Sequence, residues 1–268
     1  MSLFKRVNVL IMAFAMAIGL AACGGKKEAK VTITAEGVTP TETKNYIIAT
    51  NTEFAPFEFK NTLDQYVGID IDLLSAIAKE QGFTYELVPM TFNEMLQAVE
   101  KGEVDAAMGG ISITEERKEK LDYSDPYFEG GIVMGVDAAR RDINSYEDLA
   151  GKTVAVAVAL GTEAEAYARS IQDKYDFRIV TFDEFSEVYK DVLNGNSVAL
   201  FEDYPVLGYI ISQGMELKIV SDIERKSPYG FAVPKGENAE LLEMFNKGLE
   251  DLKESGKYQE IIETYIRQ

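Results

Sequence analysis

From Tyr46 onward, short runs of β-branched and aromatic residues alternate with stretches whose apolar positions recur at helical spacing. Residues 69–81, for example, place Leu73, Leu74 and Ile77 on one face and stop at Gly82, as an amphipathic helix does. The pattern predicts strands at 46–49, 84–88, 104–108, 153–158, 178–182 and 197–201, and helices at 69–81, 92–100, 162–175, 185–194, 203–213, 237–254 and 257–268. This alternation indicates an α/β fold with mostly parallel sheets.

Two segments repeat one local pattern. Residues 92–102 and 185–195 each start with phenylalanine, carry apolar residues at helical spacing, end on glycine and lead into an apolar strand. Aligning them places Gly109-Gly110 opposite Glu202-Asp203, and ligands of open α/β sheets collect outside such strand ends. Two lobes would then face each other across a cleft. Because a helix, a glycine and a strand also follow one another in unduplicated α/β proteins, both interpretations stay open.

The start of the chain follows a different pattern. Lys5 and Arg6 precede an apolar run from Val7 to Leu20, and small residues then lead to Cys23. These are the parts of a secretory signal, here residues 1–22, and the run is too short to favour a membrane-spanning helix. Leu-Ala-Ala-Cys also resembles the lipobox of bacterial lipoproteins, which implies diacylglycerol on the sulfur of Cys23. A plain secretory cleavage site is the alternative.

Residues 23–45 contain much threonine, lysine, glutamate and glycine and few large apolar residues. Since such a segment buries little surface, we expect a flexible tether. A Val-Thr-Ile patch leaves a short strand at 31–34 as the alternative.

Composition narrows the chemistry that the folded part can perform. Cys23 is the only cysteine, and the chain has no histidine and no tryptophan. A disulfide framework, a thiolate nucleophile, a serine-histidine triad and a zinc site of cysteine or histidine are thereby excluded, and we expect no cofactor. The net charge of -18 falls to about -20 when Lys5 and Arg6 leave with the signal, so nucleic acid is a poor partner.

Side chains near the predicted strand ends can bind an anion. Ser112 offers a hydroxyl after the two glycines, and Arg117 offers a guanidinium, which pairs with a carboxylate through two donors. Gly161 precedes a helix that starts at Thr162, where backbone amides favour an anion.

A cation has a candidate partner in Asp203. Each of these residues also has an ordinary structural role: Arg117 suits a solvated helix face, while Thr162 and Asp203 stand where a helix N-cap is expected. If all three face the cleft, they form a site for a zwitterion.

Five stretches occur in a characteristic order: ATNTEFAPFEF at 49–59, GIDIDLL at 68–74, VDAAMGGISITEER at 104–117, DYSDPY at 122–127 and YGFAVPKG at 229–236. They resemble the solute-binding proteins of bacterial polar amino-acid ABC transporters, the glutamine, arginine and histidine binders. The resemblance implies the type II periplasmic-binding-protein-like fold, with two α/β lobes, a two-strand hinge near 127–131 and 227–231, and the ligand cleft between the lobes. Lobe 1 would comprise 46–128 plus 231–268, and lobe 2 would comprise 129–230.

The resemblance also implies roles for single residues. Arg117 and Ser112 would hold the α-carboxylate of an amino acid in one lobe. The backbone of Gly161 and Thr162 would assist from the other.

The α-ammonium group would meet Asp203 and the carbonyl of Gly110. Phe54 and Phe92 would enclose the aliphatic part of the ligand's side chain.

Three positions that would contact the ligand's side chain depart from the family. Asn51 stands where glutamine and basic amino-acid binders often carry aspartate, which argues against a strong preference for lysine or arginine. Ala159 replaces a common lysine or glutamine and leaves apolar space. Glu202, where glutamine binders can have histidine, either meets a cationic or amide ligand or faces solvent. We expect glutamine or another polar uncharged amino acid, with a basic amino acid as second choice.

The implied function is capture of an amino acid by lobe closure and delivery to an ABC permease and its ATPase. We expect a monomer held by its lipid anchor on the extracytoplasmic side of the cell membrane. An amino-acid sensor for a membrane receptor is one alternative. A dehydratase on the same fold is another, although retention of Arg117 and Asp203 argues against it.

Overall fold

A computed structural model describes residues 31–33, 44–51, 53–157, 162–182 and 184–266. The predicted signal peptide lies outside these ranges, and so do Cys23, Ala159 and Gly161. Within the described residues, no helix is long and apolar enough to cross a membrane.

Strands and helices alternate along most of the described chain. The strands are β1 (Val31–Ile33), β2 (Asn45–Asn51), β3 (Phe59–Lys60), β4 (Tyr66–Val67), β5 (Thr84–Met90), β6 (Ala106–Ala107), β7 (Leu121–Tyr123), β8 (Phe128–Asp137), β9 (Thr153–Ala157), β10 (Arg178–Phe182), β11 (Ala199–Asp203), β12 (Leu217–Ile219), β13 (Glu224–Tyr229) and β14 (Ala232–Pro234). The α-helices are α1 (Ile69–Gln81), α2 (Phe92–Glu100), α3 (Glu115–Lys118), α4 (Glu163–Tyr175), α5 (Phe185–Leu193), α6 (Tyr204–Ser212), α7 (Ala239–Glu254) and α8 (Lys257–Tyr265), and a 3₁₀ turn spans Tyr146–Leu149.

The strands form two six-stranded sheets and one short hairpin of β3 with β4. The first sheet has the order β1-β5-β2-β6-β14-β7, and the second has β10-β9-β11-β8-β12 with β13 also paired to β8. Parallel pairing joins β2 to β5 and β6 in the first sheet, and β9 to β10 and β11 in the second. Each sheet therefore contains the helix-linked parallel core that the alternation predicts.

The prediction of mostly parallel sheets is wrong for the strand pairs that involve β8 and β14, which are antiparallel. β8 runs antiparallel to β11, β12 and β13, and β14 runs antiparallel to β6 and β7. The physical reason is that β8 carries the chain from the first sheet into the second, and β13 with β14 brings it back. These passing strands run against their helix-linked neighbours, and antiparallel pairing needs no crossover helix.

Part of the segment predicted as a tether is also ordered. Residues Val31–Ile33 pair antiparallel with β5, with Thr32 opposite Glu86. The alternative of a short strand is thus correct for these residues, because β-branched residues can extend the open edge of a sheet.

The crossing between the two sheets lies where the resemblance places a hinge. β8 pairs with β13, with Phe128 opposite Tyr229, and the amide of Tyr127 donates to the carbonyl oxygen of Tyr229 at 3.0 Å. Aromatic rings pack against this crossing: the Phe57 ring lies 4.9 Å from Phe128 and 5.3 Å from Tyr229, centre to centre. Movement about these strands stays a prediction.

The repeated helix-glycine-strand pattern is present in both sheets. α2 and α5 each have nine residues, and Gly102 and Gly195 follow them with φ of 69° and 76°. Glycine suits both positions because this left-handed conformation carries no steric penalty without a Cβ. The strand after each helix ends beside one common cavity.

Candidate ligand-binding site

A small cavity lies between the two sheets and collects most of the predicted site residues. Its walls are formed by Phe54, Phe92, Gly110, Ser112, Arg117, Thr162, Glu163, Phe185, Glu202 and Asp203. The side chains nearly fill this space and leave a cavity volume of only about 10 Å³. Because such a volume suits about one water molecule, a larger ligand requires the walls to move apart.

The first sheet contributes a wall in which side-chain volume is tightly limited. Gly110 has a φ of 58°, and a Cβ at this position would lie 2.2 Å from a ring carbon of Phe54. Glycine is therefore required both by its backbone conformation and by the closeness of the aromatic ring. Because Gly110 has no side chain, its backbone borders the cavity directly.

Arg117 lies on this same wall and is only 8% exposed, so the solvated-face interpretation is wrong. The reason is that α3 is a single turn, capped by Thr114, whose hydroxyl accepts from the Arg117 amide at 3.2 Å. The side chain turns back toward the preceding strand end. Its Nη1 donates to the carbonyl oxygen of Ser112 at 2.9 Å, and the guanidinium carbon lies 5.5 Å from the centre of the Phe92 ring.

Asp203 contributes from the second sheet, at the junction of β11 and α6. It occupies the N-cap position but makes no side-chain capping bond, so the interpretation as a simple helix cap is wrong for its carboxylate. Instead its Oδ1 accepts a hydrogen bond from the Tyr229 hydroxyl at 2.5 Å. Burial raises the pKa of Asp203 to about 6, although this hydrogen bond opposes the shift.

Glu202 precedes Asp203 and is buried, so the alternative that it faces solvent is wrong. One carboxylate oxygen accepts from the Tyr189 hydroxyl at 2.8 Å, and the other accepts from the Asp203 amide at 2.9 Å. Burial, reinforced by the neighbouring Asp203 charge, raises the pKa of Glu202 to about 8. Near neutral pH this side chain is therefore mostly a carboxylic acid, which can both donate and accept a hydrogen bond.

Thr162 is the N-cap residue of α4 and also contributes to the cavity wall. Its hydroxyl accepts from the Glu165 amide at 3.2 Å, so the N-cap interpretation is confirmed. Asn51 differs from the other predicted residues, because it is buried at the end of β2 but is not part of the cavity wall.

Four cavity residues or partners escaped prediction. Glu163 lines the wall and pairs with Arg225 at 3.6 Å, while Tyr189 and Tyr229 donate to the two buried acids. Phe185 had a usable signal, because it is the counterpart of Phe92 in the repeated pattern. Its ring lies 5.5 Å from that of Phe54, centre to centre, and so joins the two walls.

The charges of the wall are unequal in number. Among its residues that the structure describes, Arg117 is the single cation, and Glu163, Glu202 and Asp203 are acids. A cation on the first sheet facing an acid on the second can bind a molecule that carries both signs of charge. The aromatic rings beside them can enclose an aliphatic segment.

Comparison with known proteins decides the family. Residues 46–268 match the bacterial extracellular solute-binding proteins, family 3. The chain belongs to this family. Its two lobes, each built on one sheet, have the type II arrangement of amino-acid-binding structural relatives.

Individual relatives resemble the chain over most of its length. A probable histidine-binding protein from Neisseria gonorrhoeae is 32% identical over 93% of this chain and 91% of its own length. An ancestral arginine-binding protein solved with arginine is 38% identical, has a TM-score of 0.77, and is matched over 83% of this chain and 98% of its own. An ancestral arginine-binding protein solved with glutamine is also 38% identical, with a TM-score of 0.76. The match covers 84% of this chain and 98% of that protein.

Proposed function

We propose that this chain binds a polar amino acid outside the cytoplasm and delivers it to an ABC permease and its ATPase. The observation that carries the proposal is the placement of Arg117 and Asp203 on opposite walls of one buried cavity. A free amino acid presents a carboxylate and an ammonium group on one carbon, so it complements such a pair. Relatives that carry amino-acid names support the same class of ligand.

The α-carboxylate is assigned to the first lobe. Arg117 provides charge-assisted donors, and Ser112 adds a hydroxyl beside it. The start of α4 at Thr162, with the preceding Gly161, would supply backbone amides from the second lobe.

The α-ammonium group is assigned to Asp203 and to the carbonyl oxygen of Gly110. Binding a cation stabilises the ionised form of Asp203, so its raised pKa should fall when the site is filled. This change offsets part of the free energy that burial of the empty carboxylate costs.

Glutamine is the favoured ligand, and a basic amino acid is the second choice. Phe54, Phe92 and Phe185 would enclose the methylene groups. The protonated Glu202 can donate to an amide oxygen while its other oxygen accepts from the amide nitrogen. A cationic side chain would instead favour the ionised form of Glu202 and lower its raised pKa.

Capture would proceed by closure of the two lobes, taken as residues 46–128 with 231–268 and residues 129–230. The cavity is too small for an amino acid in its present form, so entry requires separation of the walls. A ligand that contacts both walls binds the closed form better and shifts the population toward it. A lipid on Cys23 would keep this clamp near its permease.

A thermal-shift screen with the twenty common L-amino acids tests the proposal. A ligand at a hundredfold excess over its dissociation constant adds about 2.7 kcal/mol to the free energy of unfolding. We expect glutamine to raise the melting temperature most, followed by arginine or histidine. Absence of a shift with every amino acid would overturn the proposal, and turnover of prephenate or arogenate would favour the dehydratase alternative.

A further inference from the structure

We propose that Asp70 is a positioning residue for the amine half of the site, acting through the backbone of Gly110. This inference rests on the proposed function, because it assumes that an ammonium group is bound at Gly110. Asp70 is not part of the cavity wall, and it is 1% exposed within the first lobe.

The contact between Asp70 and the site is direct. The amide of Gly110 donates to Oδ2 of Asp70 at 3.1 Å and also approaches the Tyr127 oxygen at 3.2 Å. The Tyr127 hydroxyl in turn donates to the same Oδ2 at 2.8 Å. Asp70 therefore fixes the peptide that precedes the proposed ammonium-binding carbonyl, and Tyr127 connects this contact to the start of the crossing strand β8.

A second buried acid lies against the first. Glu58 is fully buried, and its backbone pairs with that of Phe54, which packs over Gly110. Burial and the neighbouring Asp70 raise the pKa of Glu58 well above its ordinary range, which favours its protonated form beside Asp70. The pKa of Asp70 is raised to about 6, so this carboxylate is mostly ionised at neutral pH.

Among the described residues, Tyr127 donates a hydrogen bond to Asp70, and Glu58 and Tyr258 interact with it electrostatically. None of these three side chains is a cation. A bound ammonium group on the other side of Gly110 would therefore give the charge of Asp70 a partner of opposite sign.

The conformation of Gly110 explains why a hydrogen bond from its amide to Asp70 would matter for the site. A glycine at a φ of 58° has many alternative conformations, because it has no side chain to restrict it. A carboxylate that accepts its amide selects one of them. The same charge makes the local potential negative, which favours an ammonium group but contributes nothing to a ligand without one.

Asp72 offers a matched control on the same helix. It accepts a hydrogen bond from the Tyr265 hydroxyl at 2.8 Å, as Asp70 does from Tyr127, but it has no contact with Gly110. Asp70→Asn and Asp72→Asn each replace the carboxylate of an aspartate-tyrosine pair, but only Asp70 contacts a residue of the cavity wall, and Asp72 is half-buried.

The test compares two probes by calorimetry and ligand-observed NMR: L-glutamine and its des-amino analogue 4-carbamoylbutanoate. If the screen ranks another amino acid first, that amino acid and its own des-amino analogue replace them. We expect Asp70→Asn to raise the dissociation constant of the amino acid by about tenfold, equivalent to about 1.4 kcal/mol, with less than about a threefold change for the analogue. Asp72→Asn should change neither by more than about threefold.

Equal weakening of both probes by Asp70→Asn would indicate a merely structural role and overturn the inference, as would no weakening of either. If Asp70→Asn fails to fold, Tyr127→Phe decides, with about a threefold loss for the amino acid alone expected and an unchanged preference for the amine contradicting it. Failure of the parent protein to bind any amino acid would instead reject the proposed function, and this inference with it.

Discussion

The two walls of the cavity differ in how their buried charges are stabilised. On the first lobe, the charge of Arg117 is already hydrogen-bonded to a backbone carbonyl and lies against the Phe92 ring. On the second lobe, Glu202 and Asp203 are adjacent buried acids whose hydrogen-bond donors are two tyrosines and a backbone amide. Neither tyrosine brings a charge, so burial raises the pKa of both acids.

This difference indicates which charges the protein stabilises by itself and which a bound ligand would stabilise. The first wall is organised without a ligand, since its cation has partners that remain in place. The second wall holds acids that a bound cation would stabilise in their ionised form. We therefore expect substitutions on the first wall to change affinity, and those on the second to change both affinity and the dependence on pH.

The largest effect is expected from Arg117→Ala. Removing one partner of a desolvated charge pair costs about 2 to 5 kcal/mol, so the dissociation constant of the amino acid should rise by about thirtyfold or more. Calorimetry with Lys118→Ala provides the control, because Lys118 lies on the same turn but pairs with Glu115 at the surface. Affinity within a few-fold of the parent would contradict the carboxylate assignment.

Asp203→Asn should have the next largest effect. The substitution keeps a hydrogen-bond acceptor for Tyr229 but removes the charge, so amino-acid affinity should fall by about ten- to thirtyfold. Competition binding should show that analogues without the amine are spared. If amine-free analogues weaken by the same factor, Asp203 is not the ammonium partner.

Glu202→Gln should alter stability in a pH-dependent manner. Because the pKa of Glu202 is higher in the folded protein than its ordinary value of 4.5, the folded state binds the proton more tightly, and stability falls as the pH rises from about 4.5 to about 8. The full shift corresponds to at most about 5 kcal/mol.

Thermal unfolding without ligand at pH 5 and pH 8.5 measures that effect. Between pH 5 and pH 8.5, the Glu202→Gln protein should lose less stability than the parent protein. Parallel curves for the two proteins would show that Glu202 does not titrate as a buried acid.

The smallest effect is expected from Tyr229→Phe. Loss of the hydroxyl removes the hydrogen bond that lowers the pKa of Asp203, so this pKa should rise further. Amino-acid affinity near pH 6 should fall by about threefold and recover at a higher pH, where Asp203 ionises without help. Tyr265→Phe, which removes a donor to Asp72 outside the cavity, should show no such recovery.

The sequence was most informative where local forces decide the structure. The bounds of α1 and α2 are as predicted, because apolar spacing and a closing glycine or capping pair mark their ends. The antiparallel strands β8, β13 and β14 were not predicted, since their pairing depends on how the chain passes between lobes. Arg117 and Asp203 were predicted from their chemistry and the family resemblance, and both line the cavity.

The burial of acids was harder to predict. Neighbouring residues of a strand point to opposite faces, so Glu202 and Asp203 can both be buried at the cavity only because the strand ends there and a helix begins. Asp70 had a signal, since it shares the buried helix face with Leu73, Leu74 and Ile77. Its contact with Gly110, 40 residues away, depends on the tertiary fold.

The most direct test of the central claim is a calorimetric titration of the unaltered protein with one amino acid and two relatives of it. One relative lacks the α-amine, and the other carries an amide in place of the α-carboxylate. If Arg117 and Asp203 bind the two ends of the ligand, each relative should bind about a hundredfold more weakly or worse. Binding of either relative within about threefold of the amino acid would contradict the account.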